Sequence, residues 1–400
     1  MADTKPPQEA PQVAWTFNRQ GPFYRLQRRL GLLTDTDLAA GRRAVLFLLV
    51  AWVPAILLAT LTHNAWGDHH ERSILLDFSA YAFAIAIVAF LLMEQSSDRR
   101  MAWLVRQFVA TGIATPGAQS CLTRARLRLE RRSGSATVEA ALLVLSYVLA
   151  FVWVDAGLTR VPTGTWFGQV VDGAPRLNYA GWWIVLVALP LFWFLLLRWV
   201  WRFATWGLLL RDIARCDLRL VATHPDRCGG LAFVGQYPKT YLLFALAIST
   251  VVSATVLKQV VFGGASLMAF KFAWIGMILF LLAAFAAPLF FFAPLLVGLK
   301  RRGLSTYGAL VSRHNLAFEA RWIPGSALEG SEDPLGSPDM SSLADLAAGY
   351  ELVKNMRAVP LTKESLIPVL IAALVPVMAV AVTQVPVAKI LSEVKGLLLL

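Results

Sequence analysis

Charged side chains are scarce in this chain: Asp, Glu, Lys and Arg make up 16% of it, against roughly 25% in a soluble globular domain. The scarcity is also local. Seven apolar stretches, 44–62, 78–93, 140–154, 181–197, 241–257, 272–299 and 366–387, contain no Asp, Glu, Lys, Arg or His. Ionisable groups stand only at their margins, at Asp77, Glu94, Glu139, Asp155, Arg198, Lys258 and Lys271. Proton-coupled carriers use carboxylates or histidines at membrane depth, so this pattern disfavours them, and with them intramembrane proteolysis and metal-dependent transfer chemistry. Cysteine is rare as well. Cys121, Cys216 and Cys228 all fall in gaps assigned below to the cytoplasm, where thiols are expected to stay reduced. No signal peptide is expected: the start is polar and proline-rich, and the first apolar run comes too late and runs too long. No internal repeat of the transporter kind is visible.

What the sequence does contain is length in its apolar runs. Crossing hydrocarbon takes about 20 apolar residues as a helix, and backbone amides in lipid must bond internally, which rules out open strands. The fold class is therefore all-α: a polytopic transmembrane helical bundle of about seven spans with short cytosolic or interfacial helices. Four parts are expected: 1–43, a cytosolic tail and amphipathic basic helix; 44–299, a six-span bundle with basic loops; 300–361, a cytosolic helical hairpin with a flexible linker; and 362–400, a last span and an interfacial C-terminal helix. The 37 Lys and Arg outnumber the 25 Asp and Glu, and they crowd alternate gaps. By the positive-inside rule the N-terminus lies in the cytoplasm, as in a multi-pass protein of a bacterial inner membrane.

Several surfaces follow. Residues 17–33 place Phe23, Leu26, Leu30 and Leu33 between arginines, which suits an anionic membrane surface. Arg124 and Arg128 share a helical stripe with Arg131 and Arg132, and Arg211, Arg215 and Arg219 repeat that spacing. These arginines are read as contacts for anionic lipid headgroups, or as charges that only set orientation. Nucleic acid is not expected, because no aromatic-interleaved basic patch accompanies them. Homo-oligomerisation is compatible with the sequence. In the hairpin, 304–322 and 342–357 read as helices around a Gly/Ser/Pro-rich linker. An outer loop carries His63, Asp68, His69, His70 and Glu71.

The densest local motif is His224-Pro225-Asp226-Arg227-Cys228-Gly229-Gly230-Leu231. Pro225 stops an incoming helix, and paired glycine amides next to Arg227 can cradle an anion. His224, Asp226, Arg227, Gly229 and Gly230 are thus a candidate ligand or partner turn, in which Ala at 229 and 230 is expected to impair activity and leave stability nearly intact. Cys216, His224, Asp226 and Cys228 lack the spacing of a recognised zinc site, so no metal or other cofactor is expected. With its proline-punctuated last span, the chain resembles uncharacterised bacterial polytopic inner-membrane proteins that share the His-Pro-Asp-x-x-Gly-Gly-Leu turn; the resemblance implies no activity. The fifth span carries Ser249, Thr250 and Ser253, with Lys258 at its outer end. Small hydroxyl residues permit close helix packing, or they line a polar path. No catalytic residue is identified. The expected function is passive passage of a small anion or polar solute; the alternative is a non-transporting scaffold or signalling protein engaging a cytosolic partner through its basic loops.

Overall fold

The computed structural model of the chain describes residues 15, 17–34, 38–61, 77–158, 166–171, 174–323 and 338–383. The His63–Glu71 loop site, the greater part of the linker and the surface helix expected at 387–400 lie outside them. The described residues form an all-α bundle in which seven helical segments are long and apolar enough to cross a membrane. The one sheet among them is a small hairpin, Gly168–Val171 (β1) against Ala174–Leu177 (β2), antiparallel with Gly168 opposite Leu177.

A short helix, Pro22–Arg29 (α1), precedes the first span, Ala40–Leu61 (α2). The second, Phe78–Ala110 (α3), runs 33 residues, about 50 Å at the helical rise, well beyond a hydrocarbon core of about 30 Å. Gln119–Ser133 (α4) turns back along the bundle, and Ala136–Leu158 (α5) is the third span. The fourth begins as Tyr179–Trp183 (α6), passes through a π turn at Ile184–Ala188 and continues as Leu189–Ala214 (α7). The fifth joins a 3-10 stretch, Ala232–Tyr241, to Leu242–Val261 (α8). The sixth is Lys271–Ala286 (α9), a 3-10 break at Ala287–Phe292 that holds Pro288, and Ala293–Trp322 (α10). Pro338–Lys354 (α11) folds back on α10, and Lys363–Val382 (α12) is the last span.

The second, fourth and fifth spans are the most buried. Their centre is aromatic: the Phe203 ring lies 4.9 Å from Phe244 and 5.4 Å from Phe285, and Phe90 lies 5.8 Å from Phe244. Edge-on and offset ring pairs of this kind fill a core densely. The long second and fourth spans continue past their apolar stretches at the arginine-rich end. There α4 packs on α7, and the segment after α7 bridges back to the end of α3, with the Arg219 amide donating to the Ile113 carbonyl at 2.8 Å. α11 is tied to α10 by side chains: Arg321 and the Trp322 indole both meet Asp339, and Lys300 donates to the Met356 carbonyl.

Two expectations are corrected here. Cys121 and Cys216 are joined in a disulfide, their Cα atoms 5.7 Å apart, because α4 lies flat along the end of α7. Only Cys228 keeps a thiol, and it is buried. The arginine stripe 211–215–219 is also not one helical face: α7 ends at Ala214, and Arg219 sits in the bridge to α3.

Candidate functional site: a buried arginine–glutamate cluster

The margins of the spans, which the sequence shows one at a time, meet in space. Glu94 is not a surface carboxylate: it is 3% exposed midway along α3. Its Oε2 lies 2.7 Å from Arg43 Nη2, and its Oε1 lies 2.8 Å from Arg202 Nη2 and 3.5 Å from Arg198 Nη1. Arg43 belongs to the first turn of α2, not to the solvated tail, and is 1% exposed. Arg198 also reaches Glu139 Oε1 at 3.2 Å from the first turn of α5. Three guanidinium groups thus share two carboxylates, an excess of one positive charge in a buried place. Aromatic faces help to hold it: Arg198 stands 4.7 Å over the Phe23 ring, and Arg202 stands 4.5 Å over Trp199.

The N-terminal segment closes this cluster. The Asn18 side-chain amide donates to the Glu94 carbonyl at 2.6 Å and to Ser97 Oγ at 2.8 Å. The amides of Phe17 and Asn18 donate to Asp98 Oδ1, and Arg19 pairs with Asp98 Oδ2 at 3.0 Å. Gln27 accepts from Arg43 Nε at 2.6 Å, and the Phe23 amide donates to Glu139 Oε2 at 2.8 Å. Gly21 makes this approach at φ +95°, and a Cβ there would stand 2.8 Å from the Glu139 carboxylate. The segment expected to lie on the lipid surface is therefore partly a strap: Tyr24, Gln27 and Leu33 are buried, whereas Leu26 and Leu30 face outward.

Beside the strap is a polar cavity of about 20 Å³ bounded by Gln20, Ser133, Ser135, Glu139, Arg198 and Arg202. That is room for one water-sized occupant. Gln20 Oε1 is buried there without a partner among the described residues. Ser135 caps α5, accepting from the Val138 amide at 3.4 Å, so the positive end of that helix faces the same space.

The expected turn at 224–231 has a different use. Asp226 fills it: its Oδ1 accepts from the amides of Cys228 at 2.8 Å and Gly230 at 3.1 Å, and its Oδ2 accepts from Ala232 at 3.0 Å. His224 Nδ1 lies 2.8 Å from Oδ1. The glycine nest is real, with Gly229 at φ +65° and Gly230 at φ +98°, but its anion is the chain's own carboxylate. The turn joins three elements: Gly229 abuts Leu220 and Leu299, Gly230 abuts Ile113, and the Arg227 carbonyl accepts from the Arg357 amide. Ala at either glycine therefore meets both a positive φ and a side chain within 3.0–3.1 Å, which corrects the expectation that stability survives those changes. Burial, and then the Asp226 charge, push the Cys228 thiol up to about 11, so it is protonated at neutral pH and a poor metal ligand or nucleophile.

The polar path along α8 is likewise not assembled. Ser249 donates to the Ala373 carbonyl of α12, Thr250 donates to Leu246 of its own helix, and Ser253 is buried without a partner among the described residues. Small residues here let α8 and α12 approach. Lys258 stands at the far end, 3.9 Å from Asp77, which also accepts from the Trp166 indole at 2.8 Å. Of the arginines assigned to lipid, Arg128 pairs with Asp212 at 2.8 Å, while Arg124, Arg211, Arg215 and Arg219 are exposed. Among the described residues no group of His, Cys, Asp and Glu is placed to hold a metal.

Sequence reasoning missed Arg43, Glu94, Glu139, Arg198 and Arg202 as a unit. The signal was present: each lies at the arginine-rich margin of its span, where a lone carboxylate has to find a cation. No protein-family model, curated protein or solved structure matches the chain.

The Asp226 geometry carries a pH prediction. Burial raises its pKa, but the amides of Ala232, Cys228 and Gly230 and the His224 ring outweigh that and hold it below the usual carboxylate value. A depressed folded-state pKa contributes stability above the unfolded value of about 3.9, and that stability is lost as pH falls through the folded one. Asp226→Asn is expected to lower stability by about 1–3 kcal/mol at pH 7, with the gap to wild type narrowing below about pH 4. Thermal unfolding of both proteins in detergent across that range checks this; equal stability at pH 7 would show that the carboxylate does not hold the turn.

Proposed function

We propose that the chain is a multi-pass protein of a bacterial inner membrane, with its N-terminus cytoplasmic, that binds a small anion at the Arg198–Arg202 cavity and passes it across the bilayer. The observation that supports this is the buried surplus of one guanidinium beside a polar cavity at a helix N-terminus. A desolvated positive charge without a full set of counter-ions favours an anion of chloride size. Passage requires the strap at 17–20 to lift, since it covers the cavity on the side of the arginine-rich end.

The rival reading, a non-transporting scaffold that engages a cytosolic partner, is favoured by two other observations. Aromatic rings fill the bundle between the two ends, and the exposed Arg124, Arg211, Arg215 and Arg219 present a basic face. On that reading Glu94 and its arginines are a structural lock only.

Liposomes separate the two. Purified protein in chloride-loaded vesicles is expected to release chloride, and iodide is expected to quench Trp201, which borders the cavity, in a saturable way that Trp201→Phe removes. Arg202→Gln should weaken both effects by about ten- to a hundredfold, the value of one charge-assisted hydrogen bond, and Arg202→Lys should restore most of the binding. No release and no saturable quenching by folded wild type would leave the scaffold reading.

The orientation has its own test. On this reading, which the alternating arginines support, the loops after Arg132 and Lys300 are cytoplasmic and the loop after Arg160 is outside. Reporter fusions at those three points should read in, in and out. The Cys121–Cys216 bridge counts against this orientation, because such a pair rests as two thiols in a reducing cytosol and as a bridge in an oxidising compartment; its redox state in cells is therefore a second readout. An external signal after Arg132 would invert the topology.

A further inference from the structure

A second cavity is much larger than the polar one. A groove of about 640 Å³ opens sideways between α1, α5 and the start of α7, and its walls are apolar apart from Glu139 and Tyr147. We propose that it holds one acyl chain of an anionic phospholipid, with the phosphate at Arg25 and Arg29 of α1. This inference is independent of anion passage.

Three observations select that occupant. The first is depth. The α5 wall runs from Ala136 to Tyr147, a drop of about 16 Å at the helical rise, and one leaflet of a hydrocarbon core about 30 Å thick is close to that. The second is the floor. Pro190 has no N–H for the Leu186 carbonyl one turn earlier, and the Tyr147 hydroxyl donates to that carbonyl at 3.2 Å. This bond ties α5 to the π turn and closes the groove about 16 Å along α5 from Ala136. The third is charge. Leu26, 53% exposed, borders the mouth, and on the same helix Arg25 and Arg29 are exposed with no acidic residue in its first turn. Glu139 at the mouth does not oppose a phosphate, because Arg198 and the Phe23 amide hold its carboxylate. A headgroup phosphate therefore meets cations at the level where an acyl chain enters apolar walls.

Native mass spectrometry of the full chain, mixed with equal phosphatidylglycerol and phosphatidylcholine, tests this. Wild type should retain phosphatidylglycerol preferentially. Arg25→Gln with Arg29→Gln, both on the surface, should cut that preference by about tenfold or more while neutral lipid still binds. Ala140→Trp, which fills the groove, should remove bound lipid of either kind. The Arg double variant stands as the test if Ala140→Trp fails to fold. Equal retention of both lipids by wild type, or an unchanged preference in the double variant, overturns the proposal. So does a wild-type dimer that Ala140→Trp dissociates, since a second copy would then occupy the groove.

Discussion

A carboxylate taken out of water must be matched where it lies, and Glu94 is the point on which this bundle depends. Transfer of such a charge into a low-dielectric interior costs several kcal/mol even after relaxation. Here the cost is offset by arginines from α2 and α7, two helices that do not need to meet for any sequence-local reason. The pairing fixes the rotation of both around α3, and Asn18 then uses the Glu94 carbonyl to bring the N-terminal segment over the cluster. Arg198 extends the same network to α5 through Glu139. One side chain thereby sets the positions of four helices and a strap at the arginine-rich end.

The rest of that end follows the same rule, that polar groups are matched from within the chain. Asp212 takes Arg128 and Arg132 from α4, Asp98 takes Arg19 and two amides, and Asp226 takes the amides of its own turn. The far end is simpler: Asp77, Trp166 and Lys258 tie the first residues of α3 to the loop after α5 and to the end of α8. What distinguishes the Glu94 cluster from the others is its depth. The other pairs have a partner that reaches solvent, as Arg128 and Arg132 do, whereas Arg43 and Glu94 are both enclosed.

Hydrophobic run length made the seven spans and the all-α class legible, because hydrocarbon thickness and backbone satisfaction leave no other solution. Helices at 304–322 and 342–357 were expected from the Gly/Ser/Pro-rich stretch between them, and α10 and α11 cover most of both. Helix ends were not legible. Apolarity stops at Met93, yet α3 continues to Ala110 by packing on α7, α8 and the 3-10 stretch before α8. Two of the residues called margins, Glu94 and Arg198, therefore lie inside long helices. The polar sites failed for a related reason: a nest, a row of hydroxyls and an arginine stripe each look unpartnered in one dimension. Asp226 and the Ala373 carbonyl supply partners that only the fold brings near. The disulfide was likewise invisible, since Cys121 and Cys216 lie 95 residues apart.

The central claim, that Glu94 is the counter-ion which orders the bundle, is tested most directly by a charge-deletion cycle on Glu94 and Arg43. Glu94→Gln keeps the shape and leaves the arginines unmatched, so unfolding in a denaturing detergent series should show a loss of about 3–5 kcal/mol. Arg43→Gln added to it should recover part of that loss, because it removes one of the orphaned charges, and the two changes should be strongly non-additive. A Glu94→Gln protein as stable as wild type, or a double variant whose losses simply add, would contradict the account.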